Sequence, residues 1–141
     1  MNHYLDTSAL AAYYMAEQRS DSVQQFMSDV KGPTISPLVE VELYCAVSRK
    51  FRAGKLTSEE ARVIYEQFQR HVAESRYQIV MLPSANFNQA RDWIAELTTP
   101  LRVLDGLHMA LCRAHKLCLT TADRELVKAA AHFGVKYKLL S

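Results

Sequence analysis

Four acidic residues stand where their carboxylates could do chemistry together: Asp6, Glu42, Asp105 and Asp123. Carboxylates that gather closely repel one another, so such a cluster raises its own pKa values or recruits cations. Oxygen ligands favour the hard divalent ions Mg²⁺ and Mn²⁺, which keep several waters and bind phosphate groups. The four acids therefore indicate a metal site that acts on a substrate with phosphate groups.

Each of the three aspartates also has a simpler explanation as a helix-capping residue. Asp6 precedes Thr7 and Ser8, Asp105 lies near the start of a predicted helix, and Asp123 precedes another. An acid at a helix N-terminus accepts from backbone N–H groups and complements the helix dipole. Taken singly, each aspartate is explained more readily as a cap than as a metal ligand.

Capping does not explain Glu40 and Glu42. Both lie in residues 38–43, an otherwise apolar helix start, where an unpaired buried charge is costly. With 3.6 residues per turn the two glutamates are about 200° apart, so only one of them can face a given site. Small residues, Cys45 and Ala46, share the face of Glu42, but the helical wheel alone barely separates the two glutamates.

Apolar periodicity, capping residues and glycine or proline breaks predict five short strands that alternate with helices. The predicted strands are His3–Leu5, Thr34–Ser36, Tyr77–Leu82, Leu117–Thr121 and Val135–Leu140. The predicted helices run from Thr7 to Tyr14, Gln18 to Val30, Pro37 to Phe51, Thr57 to Glu74, Ser84 past Ile94, Leu104 to His115, and Asp123 to Phe133.

This alternation predicts an α/β protein with a mostly parallel sheet covered by helices. Ligands of such sheets bind beyond the carboxyl ends of the strands. Asp6 ends the first predicted strand and Asp123 follows the fourth, whereas Asp105 and Glu42 lie near the starts of helices. All four acids can therefore reach the same edge of the sheet.

Composition limits the protein class. With 141 residues, 49% hydrophobic and 23% charged, the chain is expected to be one ordinary globular domain spanning residues 1–141. It has neither an apolar run near the roughly 18 residues of a membrane span nor the pattern of a signal peptide. An odd cysteine count, with Cys45, Cys112 and Cys118 in apolar segments, favours the reducing cytoplasm over a disulfide framework. The net charge of +2 permits a polyanionic partner without predicting one.

Three segments resemble the PIN domain: LDTSAL at residues 5–10, ISPLVEVEL at 35–43, and LRVLDGLHMALCRAHKLCLTTADREL at 101–126. Within that superfamily the chain is most similar to the VapC toxins of bacterial toxin–antitoxin systems, over nearly its whole length. The specific features are the order and spacing of the acids together with the element Thr121-Ala122-Asp123.

The resemblance assigns the site residue by residue. The four acids of the family fall on Asp6, Glu42, Asp105 and Asp123, the second on Glu42 because the family's glutamate directly precedes a leucine. Hydroxyl positions that support the acids fall on Thr7 or Ser8 and on Thr121. Gly106 stands where many relatives have alanine, a departure that should leave the chemistry unchanged.

The resemblance further implies a three-layer α/β/α fold around a central parallel sheet of about five strands. It implies hydrolysis of RNA phosphodiester bonds with Mg²⁺ or Mn²⁺, in which a metal-activated water attacks phosphorus in line. It also implies a homodimer and a VapB-like antitoxin that covers the active site. The sequence itself offers apolar faces for partners, on the predicted helix from Pro37 to Phe51 and at residues 13–15.

Other function classes stay open at this point. A PIN-like ribonuclease of RNA processing would carry the same acids without an antitoxin. A receiver-like module would need paired acids after its first strand, where Asp6 stands alone, and a non-catalytic PIN-like module would normally lack one of the acids.

Two further clusters are weaker candidates for sites. A zinc site would draw on His108, Cys112, His115 and Cys118. It is disfavoured because short motifs often match by chance and Cys118 lies in the next strand. The second cluster consists of four basic residues at the end of the predicted third helix and just beyond it: Arg49, Lys50, Arg52 and Lys55. They are predicted to form a solvated helix end, whose cations complement the dipole, rather than a nucleic-acid patch.

Overall fold

A computed structural model describes residues 2–15 and 20–141. Within these ranges the chain forms, in order, β1 (His3–Leu5), α1 (Thr7–Tyr14), α2 (Ser20–Asp29), β2 (Thr34–Ile35), α3 (Pro37–Arg52), α4 (Ser58–Ala73), β3 (Gln78–Ile79), α5 (Ser84–Ala95), α6 (Val103–His115), β4 (Cys118–Thr121), α7 (Arg124–His132) and β5 (Tyr137–Leu139). The predicted start of the second helix, at Gln18, lies outside the described residues.

The five strands form one parallel sheet in the order β3-β2-β1-β4-β5. Together with helices on both faces, this sheet confirms the predicted three-layer α/β/α fold. The chain builds β2 and β3 on one side of β1 and then β4 and β5 on the other. The winding direction therefore reverses between β1 and β4, which is where a parallel sheet opens a crevice for a ligand.

The middle of the sheet is the centre of the core. Tyr4 and Leu5 on β1 and Leu119 on β4 have no exposed surface, as expected for parallel strands covered on both faces. Among the helices, α1 contacts α2 and α3, and α5 packs along α6. A Cβ atom on Gly106 would lie 3.1 Å from Cβ of Ala90, so the glycine permits this close approach.

Several helix starts follow the capping signals of the sequence. Ser36 Oγ accepts from the Val39 backbone N–H (3.4 Å), and Pro37 occupies the first turn of α3. Thr57 and Glu60 form a reciprocal capping box at the start of α4. In the described part of the chain, no helix combines the length and apolar character required to cross a bilayer.

Several elements are shorter than the patterns predict, for identifiable reasons. Asp123 is extended and caps α7, so the helix begins one residue after it; Ser36 caps α3, and the pairing of β2 stops at Ile35. The third strand shrinks from the predicted 77–82 to Gln78–Ile79 because its partner β2 offers just Thr34 and Ile35 for pairing.

Candidate active site

The four predicted acids line one cavity of about 480 Å³. Asp6 follows β1 and Asp123 follows β4, the two strands between which the winding reverses. Glu42 reaches the cavity from α3, and Asp105 reaches it from the first turn of α6. Residues more than a hundred positions apart in the chain therefore meet at one edge of the sheet.

Asp6 is buried, with 4% of its surface exposed, and is held by several donors. Its Oδ1 accepts from the Ala9 backbone N–H (3.1 Å), so Asp6 caps α1. Ser8 Oγ donates to Oδ1 (2.8 Å) and Thr121 Oγ1 donates to Oδ2 (2.6 Å). Burial raises the pKa of Asp6, while these hydrogen bonds act to lower it. Asp6 is therefore both a helix cap and a wall of the cavity.

Hydroxyl groups join the ends of β1 and β4 around Asp6. Thr121 Oγ1 accepts from the backbone N–H of Asp123 (3.0 Å), and Ser8 Oγ accepts from that of Ala122 (3.0 Å). Thr7 also lines the cavity, and its Oγ1 is buried without a hydrogen-bond partner among the described residues. Ser8 and Thr121 thus contact Asp6 directly, whereas Thr7 offers a hydroxyl for which those residues supply no acceptor.

Glu42 is oriented by a chain of buried hydrogen bonds. His108 Nε2 donates to Glu42 Oε1 (2.7 Å), and the Tyr4 hydroxyl lies 2.7 Å from His108 Nδ1. Burial raises the pKa of Tyr4, so the hydroxyl keeps its proton and donates it to Nδ1. Ser36 Oγ, 2.9 Å away, then donates to the Tyr4 oxygen. Each side chain in this series of hydrogen bonds, from Ser36 through Tyr4 and His108 to Glu42, has a partner. The Glu42 carboxylate is therefore held in place in the cavity.

The structure separates Glu42 from Glu40. Glu40 accepts from Gln69 Nε2 on α4 (2.9 Å) and is not among the residues that line the cavity. The contact between His108 and Glu42 is not predicted by the sequence. For Tyr4 the one signal in the sequence is its position two residues before Asp6, the spacing at which side chains share a face of a strand.

Asp105 and Asp123 form the more open wall of the cavity. The Asp105 side chain is 23% exposed, and Arg102 Nε lies 3.6 Å from its Oδ2. Burial raises the pKa of Asp105; the Arg102 charge lowers it and the Asp123 charge raises it. Asp123 Oδ1 accepts from the backbone N–H groups of Glu125 (2.9 Å) and Leu126 (3.4 Å), so it caps α7.

The chemistry of these donors fits a hard divalent cation. All four are carboxylates, and the raised pKa values of Asp6 and Asp105 reflect buried negative charge that a cation would neutralise. Within residues 2–15 and 20–141, no three His, Cys, Asp or Glu side chains form a ready-made coordination shell. Acids spread along cavity walls suit an ion such as Mg²⁺, which keeps waters and reaches some ligands through them.

Cations border the same cavity. Its lining includes Arg49, Lys50 and Lys55 from the end of α3 and the turn beyond it, and Arg102 from the start of α6. The sequence predicts that the first three belong to a solvated helix end. The local sequence does not indicate which part of the protein the end of this helix faces. In the structure its basic residues border the same cavity as the four acids.

A family model for the PIN domain matches residues 3–132. The chain belongs to the PIN domain family. The matched range contains all four acids of the cavity, together with β1 and β4, the strands that Asp6 and Asp123 follow. Among curated proteins no sequence match was found.

Solved structures with this PIN fold include several VapC chains. The Mycobacterium tuberculosis toxin VapC20, which cleaves the sarcin–ricin loop, superposes with a TM-score of 0.72 at 15% identity, covering 91% of this chain and 95% of that one. VapBC2 from Rickettsia felis, bound to a fragment of its promoter DNA, gives 0.73 at 16% identity with full coverage of both chains. DNA-bound VapBC from Salmonella typhimurium gives 0.71 at 18%, again with full coverage. At identities of 15–18%, the similarity to these structures establishes a shared fold and does not extend to their activities.

Proposed function

We propose that this PIN-domain protein is a Mg²⁺- or Mn²⁺-dependent endoribonuclease and the toxin of a VapBC-type pair. The observation that carries the proposal is the convergence of Asp6, Glu42, Asp105 and Asp123 on one cavity at the switch point of the sheet. Full-length similarity of fold to VapC chains from toxin–antitoxin complexes supports the toxin assignment and a VapB-like antitoxin as partner.

The four carboxylates would hold the metal, directly or through water. A bound divalent ion supplies a water of lowered pKa as nucleophile and offsets the negative charge that develops at phosphorus. The protein's own contribution is to fix the ligands: Thr121 and Ser8 hold both oxygens of Asp6, and His108 holds Glu42. Ligands that are already oriented need no rearrangement during the reaction, which favours the transition state.

Cleavage of RNA by purified variants tests the ribonuclease assignment. We expect Asp6→Asn and Asp105→Asn each to lower kcat/KM by roughly 10³-fold, as the loss of a preorganised transition-state charge does elsewhere. Both variants should keep their circular dichroism spectra, since each change preserves side-chain volume. EDTA should abolish the wild-type activity, and Mg²⁺ or Mn²⁺ should restore it. Full activity in folded Asp6→Asn and Asp105→Asn proteins would overturn the assignment.

Glu40 and Glu42 provide a matched pair within α3. Both are glutamates on one helix, but Glu42 lines the cavity whereas Glu40 contacts Gln69. Glu42→Gln should therefore lose cleavage and Glu40→Gln should retain it. If both variants lost cleavage equally, activity would depend on the total charge of α3 and not on the position of Glu42 in the cavity.

The toxin assignment and the RNA target need an experiment in cells. Induced expression should arrest growth, and sequencing of new RNA ends should locate the cleaved bond. Co-expression of a cognate VapB-like antitoxin should reverse the arrest, and light scattering should show a homodimer. RNA cleavage with neither growth arrest nor a neutralising antitoxin would instead assign the protein to RNA processing.

A further inference from the structure

One face of α3 carries opposite charges at its two ends. Residues of this face that line the cavity are Glu42, Ala46, Arg49, Lys50 and Ala53. Their spacing of four, seven, eight and eleven residues places them on one helix face. With a rise of 1.5 Å per residue, Lys50 lies about 12 Å along the axis from Glu42. The small side chain of Ala46, between Glu42 and Arg49, leaves the cavity open from the acids to the cations.

The helix dipole does not account for this arrangement. Cations in the last turn of a helix are favoured whichever way they point. Arg52 is such a cation, but it donates to Ser48 Oγ (2.6 Å) and does not line the cavity. Lys55 lies beyond the end of α3 and does line it. Arg49 also contacts the residue four positions earlier, with its Nη1 3.4 Å from Cys45 Sγ, yet it lines the cavity as Lys50 and Lys55 do, so position at the helix end does not decide which cations border the acids.

Arg102 adds a cation on the opposite wall, where the dipole disfavours it. It is the N-cap residue of α6, and a positive charge at a helix N-terminus is repelled by the dipole. Its contact with Asp105 is long at 3.6 Å, and the arginine side chain is 81% exposed, so that ion pair contributes little stability. A cation in this place is better explained by an anion that approaches from solvent.

We propose that Arg49, Lys50 and Lys55 on one wall, and Arg102 on the other, bind phosphates of single-stranded RNA on either side of the phosphate held at the acids. This inference rests on the proposed ribonuclease function. The carboxylates repel every RNA phosphate that no metal ion shields, so the flanking phosphates need a positive surface beside the cavity. Such contacts position the strand and do not read its bases.

Salt-dependent binding of a fluorescent single-stranded RNA tests the proposal, measured by anisotropy on the Asp6→Asn protein so that the RNA is not cleaved. Each lost phosphate contact should reduce the slope of log affinity against log salt by about 0.7. We expect this reduction for Arg49→Ala, Lys50→Ala, Lys55→Ala and Arg102→Ala, and a reduction of about 2 when the three α3-side changes are combined.

Arg52→Ala is the matched control, because it removes the same charge from the same helix turn outside the cavity. Its slope of log RNA affinity against log salt should equal that of the Asp6→Asn protein without further changes. An unchanged slope in the triple variant, or equal effects of Arg49→Ala and Arg52→Ala, would overturn the inference. Circular dichroism on each variant identifies any that fail to fold, and the single variants then decide the question.

Cleavage kinetics in the otherwise wild-type protein separate this inference from the proposed function. The triple variant should raise KM and leave kcat nearly unchanged, since its residues bind the strand away from the bond that breaks. Cleavage with unchanged KM and salt slope would overturn the inference alone. RNA binding through these cations by a protein that cleaves no RNA would overturn the ribonuclease assignment and leave the phosphate-binding surface standing.

Discussion

The two halves of the cavity hold their acids by different means. Asp6 and Glu42 are fixed by buried side chains, through Thr121 and Ser8 for the first and His108 for the second. Asp105 and Asp123 lie in the first turn and at the cap of helices, in contact with backbone N–H groups and the exposed Arg102. We call these the fixed half and the open half.

The difference indicates a division of labour. In a buried network each lost partner leaves another polar group unsatisfied, so the fixed half should be sensitive to small changes. In the open half, solvent replaces lost contacts at low cost. In the proposed nuclease, such a set of acids would hold the metal rigidly on one side and adapt to the substrate on the other.

Removal of His108 should have the largest effect on stability. His108→Ala leaves a cavity and deprives Tyr4 and Glu42 of a partner, so the free energy of unfolding should fall by about 2–4 kcal/mol. Metal affinity, measured by calorimetry without RNA, should fall roughly 10- to 100-fold. His108→Gln can still donate to Glu42 and should recover part of that affinity. His115→Ala, at the exposed end of α6, should change neither quantity.

Thr121→Val should come next. It keeps the side-chain shape but removes the hydroxyl that donates to Asp6 and accepts from Asp123. We expect unfolding to become easier by about 1–3 kcal/mol, and cleavage to fall by roughly 10-fold or more. Thr120→Val is the control, since Thr120 is equally buried but contacts His3. If both valine variants lost cleavage equally, the proposal that the Thr121 hydroxyl acts by holding Asp6 would be wrong.

Asp6→Asn should stabilise the protein while inactivating it. Burial raises the pKa of Asp6 above its ordinary 3.8, so the folded state holds this proton more tightly than the unfolded chain. The stability that protonated Asp6 contributes at low pH is then lost as the pH rises through the raised pKa. Asparagine is also a good N-cap and carries no charge. The Tm should exceed that of wild type at pH 7, and the gap should close as the pH falls through the raised pKa. A lower Tm at pH 7 would mean that the hydrogen bonds to the carboxylate outweigh its burial.

Arg102→Ala should have the smallest effect on stability. Its ion pair with Asp105 is exposed, so the free energy of unfolding should change by less than about 0.5 kcal/mol. Urea denaturation measures it under the same conditions as Thr121→Val. A loss as large as that of Thr121→Val would remove the distinction between the two halves.

The aspartates of the site could be predicted from the sequence because their positions follow from topology. The carboxyl ends of parallel strands lie along one edge of the sheet, so Asp6 and Asp123 were expected at that edge; their close approach depends on the pairing of β1 with β4, which the sequence does not predict. The α/β fold itself follows from the alternation of apolar strands and capped helices, and the structure confirms it.

The rest depends on long-range geometry. A helical wheel gives the angle between Glu40 and Glu42 but not which face meets the sheet, and the residue that orients Glu42 is 66 positions away. The contact of Thr121 with Asp6 needs the β1–β4 register, which no local pattern encodes. In the same way, the direction of the α3 end, and so the place of Arg49 and Lys50, depends on tertiary packing.

The pairing of β1 with β4 has a consequence for how the protein is made. Asp6 and Thr121 are separated by 115 positions, so Thr121 is synthesised long after Asp6. Contacts of such long sequence separation form late, because the loop between them must first be closed. A growing chain can therefore complete its N-terminal helices without assembling the cavity. The candidate site is assembled only once the chain has been synthesised through β4 and Asp123.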